Sequence, residues 1–250
     1  PSFEAYPILA QQVGATMVQV PLTEHRYDLD AMADAVTDRT RLLFLCNPNN
    51  PTGTIVDRDA VDRFLARVPS DLLVVFDEAY REFVTAPDFP DGLGYLPRHP
   101  NVVVLRTFSK AYGLAALRVG YAIAHPDVIG ALRKMRVPFE VSALAQVAAS
   151  ASLAAHDEMR ARVDEVIAER ERVFNAITDL GLDVVPSEAN FLWLPLGDAS
   201  AVLGEYSERA GMVLRPFPDV GVRITIGTAA ENDRLLRVLG AALDDGAAGR

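Results

Sequence analysis

Leu42-Leu43-Phe44-Leu45-Cys46 runs directly into Asn47-Pro48-Asn49-Asn50-Pro51-Thr52-Gly53. The first five residues are apolar on both faces of an extended chain, which suits a strand in a parallel sheet covered by helices on both sides. The seven that follow are turn-forming residues. Two prolines lock this loop, and its asparagine amides would face the carboxyl edge of the sheet, where they could hold a polar ligand. A buried strand ending in a polar loop is the signature of an open α/β sheet, whose functional groups gather at the carboxyl ends of its strands.

Working outward, Met17–Val20, Leu72–Phe76, Val102–Arg106 and Val119–Ala124 also read as strands. Leu29–Val36, Asp57–Arg67 and Asp127–Arg136 have helical spacing, with Asp57 and Asp127 as caps. From about Ser142 the character changes. Ser142–Leu153 is an alanine-rich helix, and His156–Leu180 is a longer charged one stopped by Gly181. Short strands (Asn190–Leu194, Met212–Leu214, Val222–Ile226) and helices (Ala199–Ala210, Glu231–Leu243) follow, and Asp244–Arg250 reads as a frayed tail. The pattern predicts an α/β layered domain over residues 1–155, with a mainly parallel sheet, and a smaller α+β domain over 156–250.

The chain has 250 residues, half of them hydrophobic, enough for a sizeable core. No apolar run reaches the length of a membrane span and no secretory signal opens the chain, so the expected location is the cytoplasm. A net charge of −10 argues against nucleic acid or an anionic membrane as partner. The single cysteine, Cys46, forms no internal disulfide and makes no metal site by itself. Only two lysines occur, Lys110 and Lys134, so all but two of the 24 basic residues are arginine. Lys134 sits in a polar helical run, whereas Lys110 requires a chemical reason.

Three further segments place unusual residues directly after a strand. Phe76-Asp77-Glu78-Ala79-Tyr80 puts a carboxylate at the end of an apolar strand, where a partly buried charge needs a cationic partner; a helix start is the plainer reading of the two acids. Arg106-Thr107-Phe108-Ser109-Lys110-Ala111-Tyr112-Gly113 surrounds Lys110 with hydroxyls and aromatics, so the lysine reads as enclosed and its amine as available for nucleophilic or base chemistry. Arg118, and Arg223 inside Gly221-Val222-Arg223-Ile224-Thr225-Ile226, are candidates for anions, although a structural ion pair serves Arg223 equally well on spacing alone. An amine, a buried carboxylate, phenol and amide donors and two arginines suit a phosphorylated aromatic aldehyde and an amino-acid carboxylate. They do not suit a metal site or a Ser-His-Asp hydrolase, and His25, His99, His125 and His156 lie outside all four segments.

Taken in order, Asn47–Gly53, Asp77-Glu78-Ala79-Tyr80, Thr107–Leu114 with Leu117-Arg118-Val119-Gly120, and Arg223–Thr228 resemble the class II, fold-type I aminotransferases. The likeness is greatest to the histidinol-phosphate branch and, within it, to the bacterial aromatic (phenylalanine) aminotransferases. The resemblance implies a three-layer α/β/α large domain, a small C-terminal domain, pyridoxal 5'-phosphate as cofactor and a homodimeric parent. It implies that Lys110 forms the Schiff base and carries the proton, that Asp77 pairs with the pyridinium nitrogen, and that Tyr80 and Asn50 bond the phenolic oxygen. Thr107, Ser109 and Arg118 would hold the phosphate and Phe3 would stack on the ring. Arg223 would clamp the substrate carboxylate with Asn190 and Asn50. The implied reaction moves the amino group of an aromatic amino acid to 2-oxoglutarate by a ping-pong route.

Ala116 stands where relatives usually carry glycine before Leu-Arg. The chain opens on Pro1-Ser2-Phe3, so the expectation is that the front of the large domain, with part of the phosphate site, is missing and that the chain alone turns over poorly. Competing readings are a histidinol-phosphate aminotransferase proper, a lyase or decarboxylase of the same fold, and a catalytically weak or non-catalytic fragment. A Rossmann dehydrogenase is disfavoured, because no Gly-x-Gly-x-x-Gly follows any strand.

Overall fold

The computed structural model describes residues 1–247. The stretch Leu42–Cys46 is strand β1, and Leu73–Asp77 (β2), Val102–Thr107 (β3) and Gly120–Ala124 (β4) complete a four-stranded sheet in the order β1-β2-β3-β4. The first three strands are parallel and β4 is antiparallel to β3. Their register decides where the chemistry falls. Cys46 lies beside Asp77, Asp77 beside Leu105, and Thr107 beside Gly120. The loops after β1, β2 and β3 therefore leave the sheet at one edge.

One face of this sheet is sealed by α2 (Leu29–Asp34) and α3 (Arg58–Arg67). Val61, Phe64 and Leu65 of α3 recur at helical spacing and pack on Leu45, Val74, Phe76, Val102 and Val104, the alternate residues of the strands. Burying a side chain such as Phe64 contributes roughly 1.5–3 kcal/mol. Asp57 caps α3, its Oδ1 accepting the Ala60 N–H at 2.7 Å, as its position before the apolar run predicts. On the opposite face, Tyr6 of α1 (Ala5–Gln12) stacks on Phe44 with ring centroids 4.3 Å apart.

After β4 come α4 (Pro126–Met135), α5 (Ala143–Ala154, capped by Ser142) and the 24-residue α6 (His156–Asp179). Gly181, at φ +82°, ends α6 as expected. The remaining chain forms an antiparallel sheet, β5 (Phe191–Gly197), β7 (Val220–Thr225) and β6 (Arg215–Phe217) in that order, with α7 (Ala199–Arg209) and α8 (Ala229–Asp244). Val173 and Ile177 of α6 fill the core of this second sheet. Met159 and Val163, three turns earlier, pack instead with Tyr80, Phe83 and Phe191. The long helix thus touches both halves. Arg170 reinforces the join, its Nη1 donating to Phe83 O at 3.1 Å and Ala189 O at 2.9 Å.

Several expectations are corrected. Met17–Val20 is no strand, because no described strand lies beside it to complete its hydrogen bonds, and Val18 is exposed. Met212–Leu214 is displaced to Arg215–Phe217, since Gly211 and Met212 turn back onto α7, with Met212 N–H donating to Ser207 O at 2.9 Å. Asp127 lies inside the first turn of α4, and the cap is His125, whose Nδ1 accepts the Asp127 N–H. The segment Asp77-Glu78 starts no helix, and a short 3-10 turn forms only at Arg81–Phe83. Helix α1, which opens beside Pro1–Phe3, went unread. Of the expected frayed tail, Asp244 closes α8 and residues 248–250 lie outside the described residues.

Candidate active site

The loop Asn47–Gly53 is almost wholly buried, and its asparagines divide the work. Asn47 brackets Val56, accepting its N–H at 3.1 Å and donating to its carbonyl at 3.3 Å. Asn49 donates to Thr52 Oγ1 at 2.8 Å and to Pro1 O at 3.1 Å. Both amides brace the loop through these bonds, and the buried Oδ1 of Asn49 has no partner among the described residues. Asn50 alone reaches across, its Oδ1 accepting from Arg223 Nη1 at 2.6 Å. Gly53, at φ +74°, lets the loop press on Ser187, and its carbonyl accepts the Glu188 N–H at 2.8 Å.

At the end of β2 the period of an extended chain sends neighbouring side chains to opposite faces. Asp77 and Glu78 accordingly have separate fates. The Asp77 carboxylate accepts the Tyr6 hydroxyl on Oδ2 at 2.7 Å and the Ala79 N–H on Oδ1 at 3.3 Å. Glu78, 1% exposed, accepts the Gly92 N–H at 2.6 Å and a two-pronged contact from Arg106 at 2.9 and 2.8 Å. Arg106 also reaches Asp91 at 2.8 Å. Glu78 directly follows β2 and Arg106 belongs to β3, so this pair clamps the strand ends that carry Asp77 and Thr107.

Lys110 follows β3, and its Nζ sits 5.2 Å from the centre of the Tyr80 ring. The lysine is not enclosed as its neighbours suggested: it is exposed, in a loop that turns at Gly113 with φ +71°. Partial desolvation nevertheless lowers its pKa, and the charges of Arg223 and Arg118 lower it further, against the pull of Asp77 and Cys46. Burial raises the pKa of Asp77, opposed first by the Tyr6 hydroxyl, then by the Ala79 N–H and by Lys110. Cys46 is buried, and desolvation pushes its thiol up, so it stays protonated.

Tyr80 is buried edge-on against Phe191, and among the described residues its hydroxyl has no hydrogen-bond partner. Arg223 lies with its guanidinium 5.2 Å from the centre of the Phe191 ring, and its buried Nε likewise lacks a partner. A buried N–H left unpaired on this half-buried cation is costly unless an acceptor meets it, and an anion is the acceptor its charge favours. The structural ion pair that spacing allowed for Arg223 is absent among the described residues. Asn190 stands just before β5, next to Phe191, and among the described residues its side chain makes no hydrogen bond. Thr107 Oγ1 accepts the Ser109 N–H at 3.0 Å. Arg118 is exposed in a left-handed conformation, φ +52°, two residues before Gly120, the register partner of Thr107. Phe3 is partly exposed and meets Tyr6 edge-on at 5.5 Å.

The geometry therefore gathers Asp77, Tyr80, Lys110, Asn50 and Arg223, with Thr107, Ser109 and Arg118 on the adjoining rim. Sequence reasoning missed Tyr6, Glu78 and Arg106. The strand period at Asp77-Glu78 could have separated the two acids; nothing local singled out Tyr6.

Residues 1–239 match the family described as aminotransferase class I and II. The chain belongs to this family. An aromatic amino acid aminotransferase of Streptomyces avermitilis is 59% identical over 238 residues, covering 95% of this chain and 66% of that protein. One from Cutibacterium acnes is 55% identical over 243 residues, covering 97% and 69%. The chain thus spans about two thirds of the length of such curated relatives. Among solved structures, the histidinol-phosphate aminotransferase of Sinorhizobium meliloti in complex with pyridoxal-5'-phosphate superposes with a TM-score of 0.91 at 30% identity, over 98% of this chain and 68% of that one. The L-threonine-O-3-phosphate decarboxylase of Porphyromonas gingivalis superposes at 0.82 with 28% identity, over 98% and 75%. The fold is that of the fold-type I aminotransferases, as the motifs implied.

Proposed function

We propose that this aminotransferase-family chain moves the amino group of an aromatic amino acid to 2-oxoglutarate in a ping-pong reaction, with pyridoxal 5'-phosphate as cofactor. The observation that carries the cofactor and reaction is the convergence of Lys110, Asp77, Tyr80 and an Arg223 whose buried Nε is unpartnered. Relatives at 55–59% identity carry the aromatic name, which supports that substrate class over histidinol phosphate, the name borne by a structural neighbour at 30%. Residues 1–155 would form the cofactor-binding domain and 156–250 the small domain.

The donor set fits such a cofactor. Asp77 would face the ring nitrogen, Tyr80 and Asn50 the phenolic oxygen, Thr107, Ser109 and Arg118 the phosphate, and Phe3 the ring. Asn50 has its Oδ1 on Arg223, leaving its Nδ2 as a donor, so one amide serves both cofactor and substrate clamp. When bound, pyridoxal phosphate supplies an aldehyde that condenses with amines and a ring that withdraws electrons. Lys110 supplies the amine that competes with substrate and holds the mobile proton at Nζ; desolvation and the charges of Arg223 and Arg118 lower its pKa and so favour release of that proton. Arg223, with Asn190, would orient the substrate through its carboxylate, the planar fork matching two oxygens.

A homodimer fits the surface. Met135, Val137, Phe139, Leu144 and Val147 are exposed apolar side chains on and between α4 and α5, a concentration that marks an interaction surface. Among the described residues no helix is long and apolar enough to cross a membrane.

The test adds pyridoxal phosphate to the purified chain and to Lys110→Ala, and reads the protein-bound visible absorption band. It then measures turnover of phenylalanine and of histidinol phosphate with 2-oxoglutarate. A band lost in the variant, with preference for phenylalanine, is the expected result. Preference for histidinol phosphate would move the chain to that branch. A band without turnover would make it a catalytically weak binder. Unchanged substrate affinity in Arg223→Ala would favour decarboxylase or lyase chemistry.

A further inference from the structure

Tyr6 is a buried ionisable group in contact with Asp77 to which neither the motifs nor the proposed roles assign a task. It is 6% exposed, stacked on Phe44 at 11° between planes, and covered by the edge of Phe3. Its hydroxyl is thus fixed by two rings, one from the sheet and one from the chain just before α1. At 2.7 Å from Asp77 Oδ2 it makes the short contact of a neutral donor to a carboxylate. We infer that Tyr6 is a positioning residue that holds Asp77 ionised and fixes the direction in which its remaining lone pairs point. This inference rests on the reading of Asp77 as the partner of a cofactor ring nitrogen.

The physical case has three parts. Tyr6 is always the donor, because burial, with Cys46 and Asp77 nearby, drives its own pKa far above the ordinary phenol range. Asp77 needs such a donor, because desolvation favours its neutral form, and a neutral carboxyl cannot pair with a protonated ring nitrogen. The other Asp77 contact is a long one, 3.3 Å from Ala79 N–H, so the hydroxyl does most of the aiming. A carboxylate offers about four lone-pair directions, so one oxygen can accept Tyr6 while the other meets a ring N–H. The titratable groups facing Asp77 are Tyr6 of α1, Tyr27 in the segment before α2, Cys46 of β1, Tyr80 after β2 and Lys110 after β3. Among the described residues, Tyr6 alone donates to its carboxylate from a side chain.

The experiment uses Tyr6→Phe, which keeps both ring contacts and deletes one oxygen. In protein without cofactor, carbon-13 carboxyl labelling follows the titration of Asp77, whose signal is identified by its loss in Asp77→Asn. The midpoint should rise by about one pH unit, a tenfold change in proton affinity. With nitrogen-15 pyridoxal phosphate bound, the ring-nitrogen shift should move toward the unprotonated value. The loss of cofactor affinity caused by Tyr6→Phe should vanish in an Asp77→Asn background, which a merely structural effect of Tyr6 would not do. An Asp77 midpoint unmoved by Tyr6→Phe, or an affinity loss that persists in Asp77→Asn, would overturn the inference. Wild-type protein that binds no pyridoxal phosphate would bring down the functional reading instead, and the titration without cofactor would still decide the role of Tyr6.

Discussion

Replacing Arg106 by methionine would leave Glu78 buried without its main cation. The Glu78 side chain is 1% exposed and that of Arg106 9%, and Arg106 supplies two of its hydrogen bonds, at 2.9 and 2.8 Å. What remains is the Gly92 N–H at 2.6 Å and Arg81 Nε at 3.6 Å, the latter too far to replace them. Removing one side of a buried pair costs about 3–5 kcal/mol. For a chain of this size each kcal/mol moves Tm by about 2–4 °C, so a fall of roughly 6–20 °C follows. The pH dependence has a definite sign. Burial already holds the Glu78 pKa above the ordinary 4.5 while Arg106 opposes the rise, so the variant raises it further. A carboxyl that binds its proton more tightly when folded adds stability below about pH 4.5 and loses it as pH rises through the raised value. The deficit of Arg106→Met should therefore be smaller at acid than at neutral pH, and Glu78→Gln in the same background should recover part of it. Urea unfolding followed by circular dichroism, with an unchanged m-value, measures all three. A loss under about 1 kcal/mol, the scale of a surface pair, or one equal at every pH, would refute the reasoning.

Because the chain has only two lysines, reductive dimethylation yields two methyl-lysine signals by carbon-13 NMR. The one that Lys110→Arg removes should titrate below the ordinary 10.5, since burial, Arg223 and Arg118 all disfavour its ammonium form. Titration at or above that value would contradict the site's electrostatics. Arg223→Lys keeps charge but loses the fork and the Asn50 contact, so the amino-acid KM should rise by about 10–100-fold, equal to about 1.4–2.7 kcal/mol. An unchanged KM would remove Arg223 from the substrate site. In Gly53→Ala the new Cβ would lie 2.1 Å from Ser187 Oγ at φ +74°, so a loss of about 1–3 kcal/mol with weaker cofactor binding is expected. An unshifted Tm would show that the loop yields freely. Thr228→Ala, which breaks the capping box of α8, should cost about 1 kcal/mol and leave cofactor affinity unchanged, a loss of affinity marking a coupling not visible in the contacts.

The bounds of β1 were legible because both its faces are apolar and a proline-rich loop stops it. Strands β2 and β3 each run one residue further than hydrophobicity suggested, because Asp77 and Thr107 are polar yet still bonded in the ladder. Helix α1 was hidden by Pro7, which sits in its first turn, where no intrahelical N–H is required. Met17–Val20 has strand composition, but β structure is a property of pairs, and no strand lies beside it among the described residues. Lys110 stood out by scarcity of its type, whereas its exposure did not, since enclosure depends on what folds over a loop rather than on the residues within it.

The two places where one residue type takes opposite roles explain why the rest could not be read. Asn47, Asn49 and Asn50 have the same side chain, yet two brace the loop against Val56, Thr52 and Pro1 and one reaches 173 residues along the chain to Arg223. Asp77 and Glu78 are adjacent acids, yet one accepts a tyrosine in the cleft and the other an arginine behind it. In both cases the deciding variable is the direction of a backbone vector, fixed by register with β1 and β3 and by the turn at Gly53. Composition names the groups able to do the chemistry; only the pairing of strands distant in sequence says which of them face it. Tyr6 is the extreme instance. Its role depends on Phe44 and Asp77, 38 and 71 positions away, and no window along the chain contains all three.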